Sequence, residues 1–264
     1  QLPTGEAIGA MARAKNVIVV GDPKQMPPTA FFATTKEDEE NLEIEDLESI
    51  LDDTLAIPLP SLHLRGHYRS RHESLIAFSN AHFYDRQLLT FPSPDDRKSQ
   101  VVLHPVEGVY ERGTSRTNKQ EAQAVVDAVM SHLADPERRK RSLGIVTFSM
   151  PQQTLVEDLL ADAFAAHPDL EAFDTQAQEP IFVKNLENVQ GDERDIILFS
   201  IGYGPDADGN LSHNFGPLNQ KGGWRRLNVA ITRSRYAHLY DHPLPTDRPQ
   251  ANKCRGGAGF ARLP

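Results

Sequence analysis

The chain has 264 residues, of which 39% are hydrophobic and 25% charged, as in globular proteins. No apolar run reaches the roughly 20 residues that span a bilayer, so we expect no membrane binding. A single cysteine, Cys254, excludes an internal disulfide, so we expect a cytoplasmic protein. The net charge of −9 argues against a nucleic-acid binder, but ten acidic residues lie between Lys36 and Asp53 and the remainder is neutral. We interpret this acidic run as a solvated loop.

The predicted elements alternate along most of the chain. Short β-branched and apolar runs predict strands at 16–20, 62–64, 101–103, 143–148, 181–183 and 195–201. Apolar residues at helical spacing predict helices at 72–83, 119–134, 151–166 and 223–235. This order predicts an α/β fold, a parallel sheet with helices on both faces, and we expect the polar clusters at the carboxyl ends of its strands.

Four polar clusters flank these strands, at 21–28, 66–70, 188–195 and 225–235. In the first, Gln25 can hydrogen-bond a terminal phosphate without adding charge. In the second, Arg69 at a helix start suits an anion, because its donors add to the positive end of the helix dipole. Taken singly, each cluster has a structural alternative, a turn or a surface salt bridge.

The other two clusters also carry groups that suit a nucleotide. Gly191 permits close backbone approach and Glu193 can accept a hydrogen bond from a ribose hydroxyl, although a plain turn is the alternative. Arg226 and Arg233 are seven residues apart and share a face of the predicted helix. A guanidinium held there can stabilise the charge of a transferring phosphoryl group, but arginines on helices are more often surface residues.

The order of the four clusters carries a family resemblance. Four segments resemble, in this order, motifs III, IV, V and VI of superfamily 1B DNA and RNA helicases. They are VIVVGDPKQMPPT, LRGHYRSRHESLIAFSNAHFY, VQGDERDIILFSIGY and RRLNVAITRSR. They are most similar to large bacterial helicases of the AAA-type group that includes the nonsense-decay enzymes. The resemblance covers about residues 5–240 and implies a RecA-like, P-loop NTPase-type domain.

The resemblance implies roles for individual residues. Gln25 would sense the γ-phosphate of ATP, and Arg69 and Arg233 would contact it across a cleft, with Arg233 as the arginine finger. Gly191 and Glu193 would help to hold the nucleotide. ATP and Mg²⁺ are the implied cofactors, and the chain itself shows no pattern of metal ligands.

Three further residues are implied to meet single-stranded DNA or RNA: Thr147, Ser149 and Gln190. Such contacts use the nucleic-acid backbone and are sensitive to salt. The family suggests 5′ to 3′ movement.

Two motor parts are missing from the sequence. It contains no G-x-x-x-x-G-K-S/T loop, and no Asp-Glu pair for Mg²⁺ precedes the first cluster. We therefore expect four segments: a C-terminal remnant of a first RecA-like domain at 1–35, an acidic linker at 36–57, a second RecA-like domain at 58–240, and an irregular tail at 241–264. We hypothesise a frameshift within 236–246.

The function expected from these patterns is the C-terminal motor half of an ATP-dependent helicase or translocase. We expect it to be inactive alone and to need an upstream, P-loop-containing RecA-like domain of the same protein. The alternatives are a non-catalytic module of this fold that binds nucleic acid or protein, and an unrelated phosphotransferase.

Overall fold

The computed structural model describes residues 2–27, 49–94 and 97–243. Its helices are α1 Thr4–Met11, α2 Ile50–Ala56, α3 Ser74–His82, α4 Lys119–Ala134, α5 Met150–Ala166, α6 Pro168–Thr175 and α7 Trp224–Ile231, with short 3-10 turns at Arg138–Lys140 and Gly216–Asn219. Its strands are β1 Val101–Val106, β2 Leu143–Thr147, β3 Phe182–Asn185, β4 Arg194–Ser200 and β5 Ser234–Pro243. No helix within these ranges is long and apolar enough to cross a membrane.

One parallel sheet organises the fold, with the strand order β1-β5-β4-β2-β3. All four pairings are parallel, so every strand starts at the same edge. We call the edge where the strands start the amino edge and the edge where they end the carboxyl edge. This confirms the predicted α/β fold with a parallel sheet.

Helices cover both faces of the sheet. On one face, α4 and α5 pack their apolar residues over β2 and β4, where Leu198 points toward them. On the other face, Ile197 and Phe199 of β4 pack against Val229 and Ala230 of α7. Successive strand residues point to opposite faces, so β4 supplies both cores.

Local sequence signals define the two long helices. The predicted helix 119–134 coincides with α4, because Asn118 caps its start through a bond from Glu121 N (3.0 Å) and its apolar residues repeat at helical spacing. Ser149 caps α5 in the same way, and Pro151 occupies its first turn, where a missing N–H costs nothing.

The segment before the sheet differs from the prediction. Residues 16–20 form no strand, and Ile18 and Val20 are 89% and 81% exposed. Residues 62–64 also form no strand, and Leu62 and Leu64 lie in solvent. A strand requires a neighbour to accept its backbone hydrogen bonds, and no described strand lies beside either run.

The segment 223–235 also differs from the prediction. The helix ends at Ile231, and β5 begins at Ser234 in the middle of the sheet, where it pairs with β1 and β4. Arg226 and Arg233 therefore do not share a helix face. Pairing on both sides gives this segment more backbone hydrogen bonds as a strand than another helical turn would supply.

Two elements of regular structure extend into the segments predicted as linker and tail. The expected linker 36–57 contains α2, which starts with a capping box formed by Ser49 and Asp52. Strand β5 runs to Pro243, three residues into the expected irregular tail. Most of the acidic run and most of the tail lie outside the described residues, at 28–48 and 244–264.

Candidate functional site

The predicted nucleotide residues lie at the amino edge of the sheet. Glu193 immediately precedes β4, and Arg233 immediately precedes β5. The expectation that all polar clusters follow the strands was therefore wrong for these two. Both residues end connections that return the chain to the start of a parallel strand, and such connections necessarily finish at the amino edge.

Arg69 joins this edge from the segment before α3. Its Nε donates to Glu193 Oε2 at 2.7 Å, and its Nη1 donates to the carbonyl of Thr232 at 3.2 Å. The other Glu193 oxygen lies 3.4 Å from Arg235 Nη1, so one carboxylate bridges two arginines. Arg235 is anchored in turn by Asp195 at 2.8 Å. The structure thus brings Arg69, Glu193 and the start of β5 together.

Arg233 is buried beside them, with 3% of its surface exposed. Its Nε donates to Val229 O at 2.8 Å and its Nη2 donates to Thr232 Oγ1 at 2.8 Å, both neutral acceptors. No carboxylate in the described part of the chain forms an ion pair with it. Burial lowers the pKa of Arg233 to about 10, and the charge of Arg69 acts in the same direction. The side chain is therefore still a cation at neutral pH.

Gly191 lies on the connection into β4, with φ of 98°. This φ is one that residues with a side chain rarely adopt, so a glycine is needed here. A Cβ built on Gly191 would meet no atom within 4 Å, which leaves the space above its backbone open.

Gln25 lies in the loop that follows residues 16–20, and this loop docks onto the sheet domain. Its Nε2 donates to Asp22 Oδ2 at 2.9 Å, and Tyr84 Oη donates to the same oxygen at 2.7 Å. Asn228 of α7 donates from Nδ2 to Lys24 O at 2.8 Å and to Tyr84 Oη at 3.0 Å. The first and fourth clusters are therefore connected through a tyrosine that the motifs did not identify.

Tyr84 is half-buried, and its surroundings shift its pKa. Burial raises the pKa of Tyr84, and its hydrogen bond to Asp22 acts in the same direction. Met26, next to Gln25, is 5% exposed and packs into the core on the α7 face. The loop is thus held by one buried apolar side chain and a short chain of hydrogen bonds.

Thr147 and Ser149 lie at the opposite, carboxyl edge, at the end of β2. Thr147 is fully buried and its hydroxyl donates to Ser149 O at 3.0 Å, so its side chain does not face solvent. Ser149 is half-buried and caps α5 through Gln152 N. Their contact with nucleic acid stays a prediction.

Gln190 lies apart from those two residues. Its Oε1 is buried without a hydrogen-bond partner among the described residues. It lines a cavity of roughly 570 Å³ together with Asp22, Gln25 and Arg225, which Thr147 and Ser149 do not line. A buried carbonyl oxygen without a donor is costly to the folded state.

A buried polar network at the carboxyl edge was missed by sequence reasoning. Glu121 of α4, fully buried, accepts from Ser200 Oγ at 2.8 Å and from Gly202 N at 2.9 Å. Gln152 of α5 donates to Ser200 Oγ at 3.1 Å and accepts from Asn118 N at 2.8 Å. The network ties two helices to the end of β4. A glutamate on the apolar side of a predicted helix is the signal that could have found it.

The chain is similar in sequence to known helicases. The chain is 35% identical over 243 residues to the uncharacterized ATP-dependent helicase MG140 of Mycoplasma genitalium, a match that covers 87% of this chain and 21% of the relative. It is 26% identical over 234 residues to the 5'-3' DNA helicase ZGRF1 of Mus musculus, covering 86% of this chain and 11% of the relative. The chain thus spans about a fifth, or less, of the length of these relatives.

A solved structure also matches in part. It is the C-terminal domain of a possible DNA helicase from Lactobacillus plantarum, which is 15% identical and covers 67% of this chain and 87% of its own. Its TM-score of 0.32 is too low to support any conclusion about this chain.

The family assignment follows from a match over most of the chain. The model of the AAA domain family AAA_12 matches residues 45–239, which span α2 to β5 and include the second, third and fourth polar clusters. The chain therefore belongs to this AAA domain family, which is of the superfamily 1 helicase type.

Proposed function

We propose that this chain is the C-terminal motor half of an ATP-dependent nucleic-acid helicase or translocase. In this role it supplies Arg233 as the arginine finger and Arg69 as a second contact to the γ-phosphate. Its membership of a helicase family and its similarity to ATP-dependent helicases support the general class. The finer assignment depends on the arginine group at the amino edge.

The observation that carries the proposal is the burial of Arg233 without a carboxylate. A buried cation costs several kcal/mol unless an anion pairs with it, and proteins rarely keep such a group without a use. A phosphate at the amino edge would supply the missing charge. Arg69 lies close enough to lower the pKa of Arg233, so two guanidinium groups meet where such an anion would lie. Residues in this arrangement can stabilise the charge that develops on a transferring phosphoryl group.

The neighbours of these arginines fit supporting roles. Glu193 holds Arg69 and Arg235 through ion pairs, so its proposed contact with a ribose hydroxyl would compete with existing partners. Gly191 leaves open space for close backbone approach. Gln25 would report the γ-phosphate to α7 through Asp22, Tyr84 and Asn228, because these groups form one hydrogen-bonded chain.

The cofactors of this reaction are ATP and Mg²⁺. When bound, ATP supplies the phosphoryl group and Mg²⁺ offsets its charge. The residues at the amino edge fit the phosphate, but no group of three or more carboxylate, histidine or cysteine side chains that could hold a metal lies within the described residues. We therefore assign no Mg²⁺ ligand to this chain and propose that an upstream, P-loop-containing domain provides it.

Exposed apolar residues support such a partner domain. Val17, Ile18 and Val20 are 47%, 89% and 81% exposed and form one short run. A β-branched run of this kind is typical of a buried parallel strand, so it would be covered once neighbouring strands lie beside it. We propose that the first RecA-like domain completes its sheet there.

Single-stranded nucleic acid would bind at the carboxyl edge, away from the arginines. Ser149 marks this edge and remains partly accessible. The separation of the two edges would let one domain contact ATP and nucleic acid at the same time.

The proposal is tested by measuring ATP hydrolysis with and without a P-loop half. The 264-residue chain alone should give no measurable turnover, and joining it to the P-loop-bearing half of a relative should create turnover stimulated by single-stranded DNA or RNA. Robust hydrolysis by the chain alone would overturn the claim that it is inactive alone. A joined protein that folds and binds ATP but never hydrolyses it would favour a non-catalytic module.

A further inference from the structure

An exposed aromatic group lies where the Gln25 loop meets α7. Trp224 is 36% exposed, and its ring stacks on Phe83 with centroids 5.0 Å apart and planes 19° apart. Two cations lie over the same ring: Lys24 Nζ is 5.8 Å from its centroid and the Arg225 guanidinium carbon is 5.4 Å from it. None of the residues proposed to contact the nucleotide belongs to this group.

The turn before α7 fixes this tryptophan in place. Gly222 has φ of 81°, and a Cβ on Gly223 would lie 2.4 Å from the carbonyl oxygen of Pro217. Only glycine fits both positions without strain. The side chain of Trp224 is further held by Phe83, which follows α3. A large aromatic held rigidly at the surface loses little entropy when a ligand stacks on it.

Strand direction places Trp224 toward the carboxyl edge. Helix α7 ends at Ile231, three positions before β5 starts at the amino edge, so its first residue lies seven positions, roughly 10 Å along the helix axis, from that end. Trp224 thus lies at the end of α7 that is opposite to Arg233.

The charges around the ring indicate what it binds. Neither Lys24 nor Arg225 forms an ion pair with any carboxylate of the described residues. Arg225 is held by its bond from Nε to Pro23 O at 3.2 Å, which keeps it beside the ring. An exposed aromatic ring with two cations close to it suits a nucleotide unit of a single strand, in which a base is accompanied by phosphates.

We infer that Trp224, with Lys24 and Arg225, is a stacking site for one base of a single-stranded nucleic acid. The base stacks on the indole, and the two cations contact the flanking phosphates. This inference rests on the proposed function, because it assigns a residue to the proposed single-strand track. It also places a nucleic-acid contact at the first residue of α7, whereas the proposed arginine finger, Arg233, lies two positions beyond the last residue of that helix.

The sequence makes the test direct, because Trp224 is the sole tryptophan of the chain. Its fluorescence can be followed while the 264-residue protein is titrated with a dT 15-mer, and binding can be measured separately by the anisotropy of a label on the strand. We expect the dT strand to quench Trp224. A strand of the same length with abasic sites should bind through its phosphates but leave the fluorescence nearly unchanged.

Variants separate stacking from charge. Trp224→Ala should weaken binding of the dT strand about 5- to 150-fold, the range expected for one lost base stack, and Trp224→Phe should weaken it less. Lys24→Ala should weaken dT and abasic strands equally and lower the salt dependence by about one counterion. Phe173→Ala is the matched control, since Phe173 is another exposed ring with a cation, Arg139, 3.8 Å from its centroid. It should leave the affinity unchanged.

The outcomes distinguish the two levels of the proposal. If the strand binds by anisotropy but Trp224 is not quenched, and Trp224→Phe and Trp224→Ala bind like the parent, the stacking site is wrong while the single-strand role stands. If no strand binds the folded parent at low salt, the single-strand role fails and the stacking site fails with it. Far-UV circular dichroism shows whether each variant is folded. If Trp224→Ala does not fold, Trp224→Phe is used to test the stacking site.

Discussion

Replacement of Glu121 should reveal how much the buried network stabilises the domain. In the parent, its carboxylate accepts from the Ser200 hydroxyl at 2.8 Å and from Gly202 N at 2.9 Å, and all of these groups are buried. Glu121→Ala leaves both donors without an acceptor. Each unsatisfied buried donor costs about 1 to 3 kcal/mol, so the free energy of unfolding should fall by about 2 to 6 kcal/mol. Glu121→Gln keeps one acceptor oxygen and should cost about half as much.

Urea denaturation, followed by far-UV circular dichroism, measures this difference. The matched control is Glu137→Ala, because Glu137 is an exposed glutamate whose ion pair with Lys140 has side chains 80% and 65% exposed. Exposed pairs contribute less than about 1 kcal/mol, so this variant should unfold like the parent. The reasoning is refuted if Glu121→Ala loses no more stability than Glu137→Ala.

Two further predictions concern hydrogen bonding and protonation. Tyr84→Phe removes the hydroxyl that donates to Asp22 at 2.7 Å, so urea denaturation should give a loss of about 1.5 to 3 kcal/mol, and an unchanged midpoint would contradict the docking of the Gln25 loop. Burial lowers the pKa of both His67 and His132 below their ordinary 6.5, so the unfolded chain binds more protons than the folded chain. The free energy of unfolding should therefore fall as the pH drops from about 7.5 to about 5.5. His132→Gln should reduce that fall, and an identical pH profile would argue against this assignment.

Much of the sheet domain could be predicted from sequence. β-branched runs predict β2 and β4 to within about a residue, since both strands are buried on two faces and have no polar alternation to confuse the pattern. Helix α4 was predicted at its observed bounds because its apolar residues repeat at helical spacing. Residues 232–235 were wrongly predicted as the end of a helix, because β5 depends on pairing with β1 and β4, which lie far away in the chain.

The candidate site was predicted in part. The motifs identified Arg69, Glu193 and Arg233, and the structure brings the three together. They did not indicate the edge of the sheet, which depends on strand direction. They also missed Tyr84, since its bonds reach Asp22 and Asn228, 62 and 144 positions away in sequence. Contacts of this range leave no local pattern.

The most direct test of the central claim is ATP turnover by Arg233→Ala in the chain joined to a P-loop-bearing half. We expect a loss of about a thousandfold or more in turnover, because the guanidinium acts on the charge that develops during transfer. The affinity for ATP should change only slightly, and the unfolding midpoint should show that the variant is folded. Turnover close to that of the parent would contradict the assignment of Arg233 as the arginine finger.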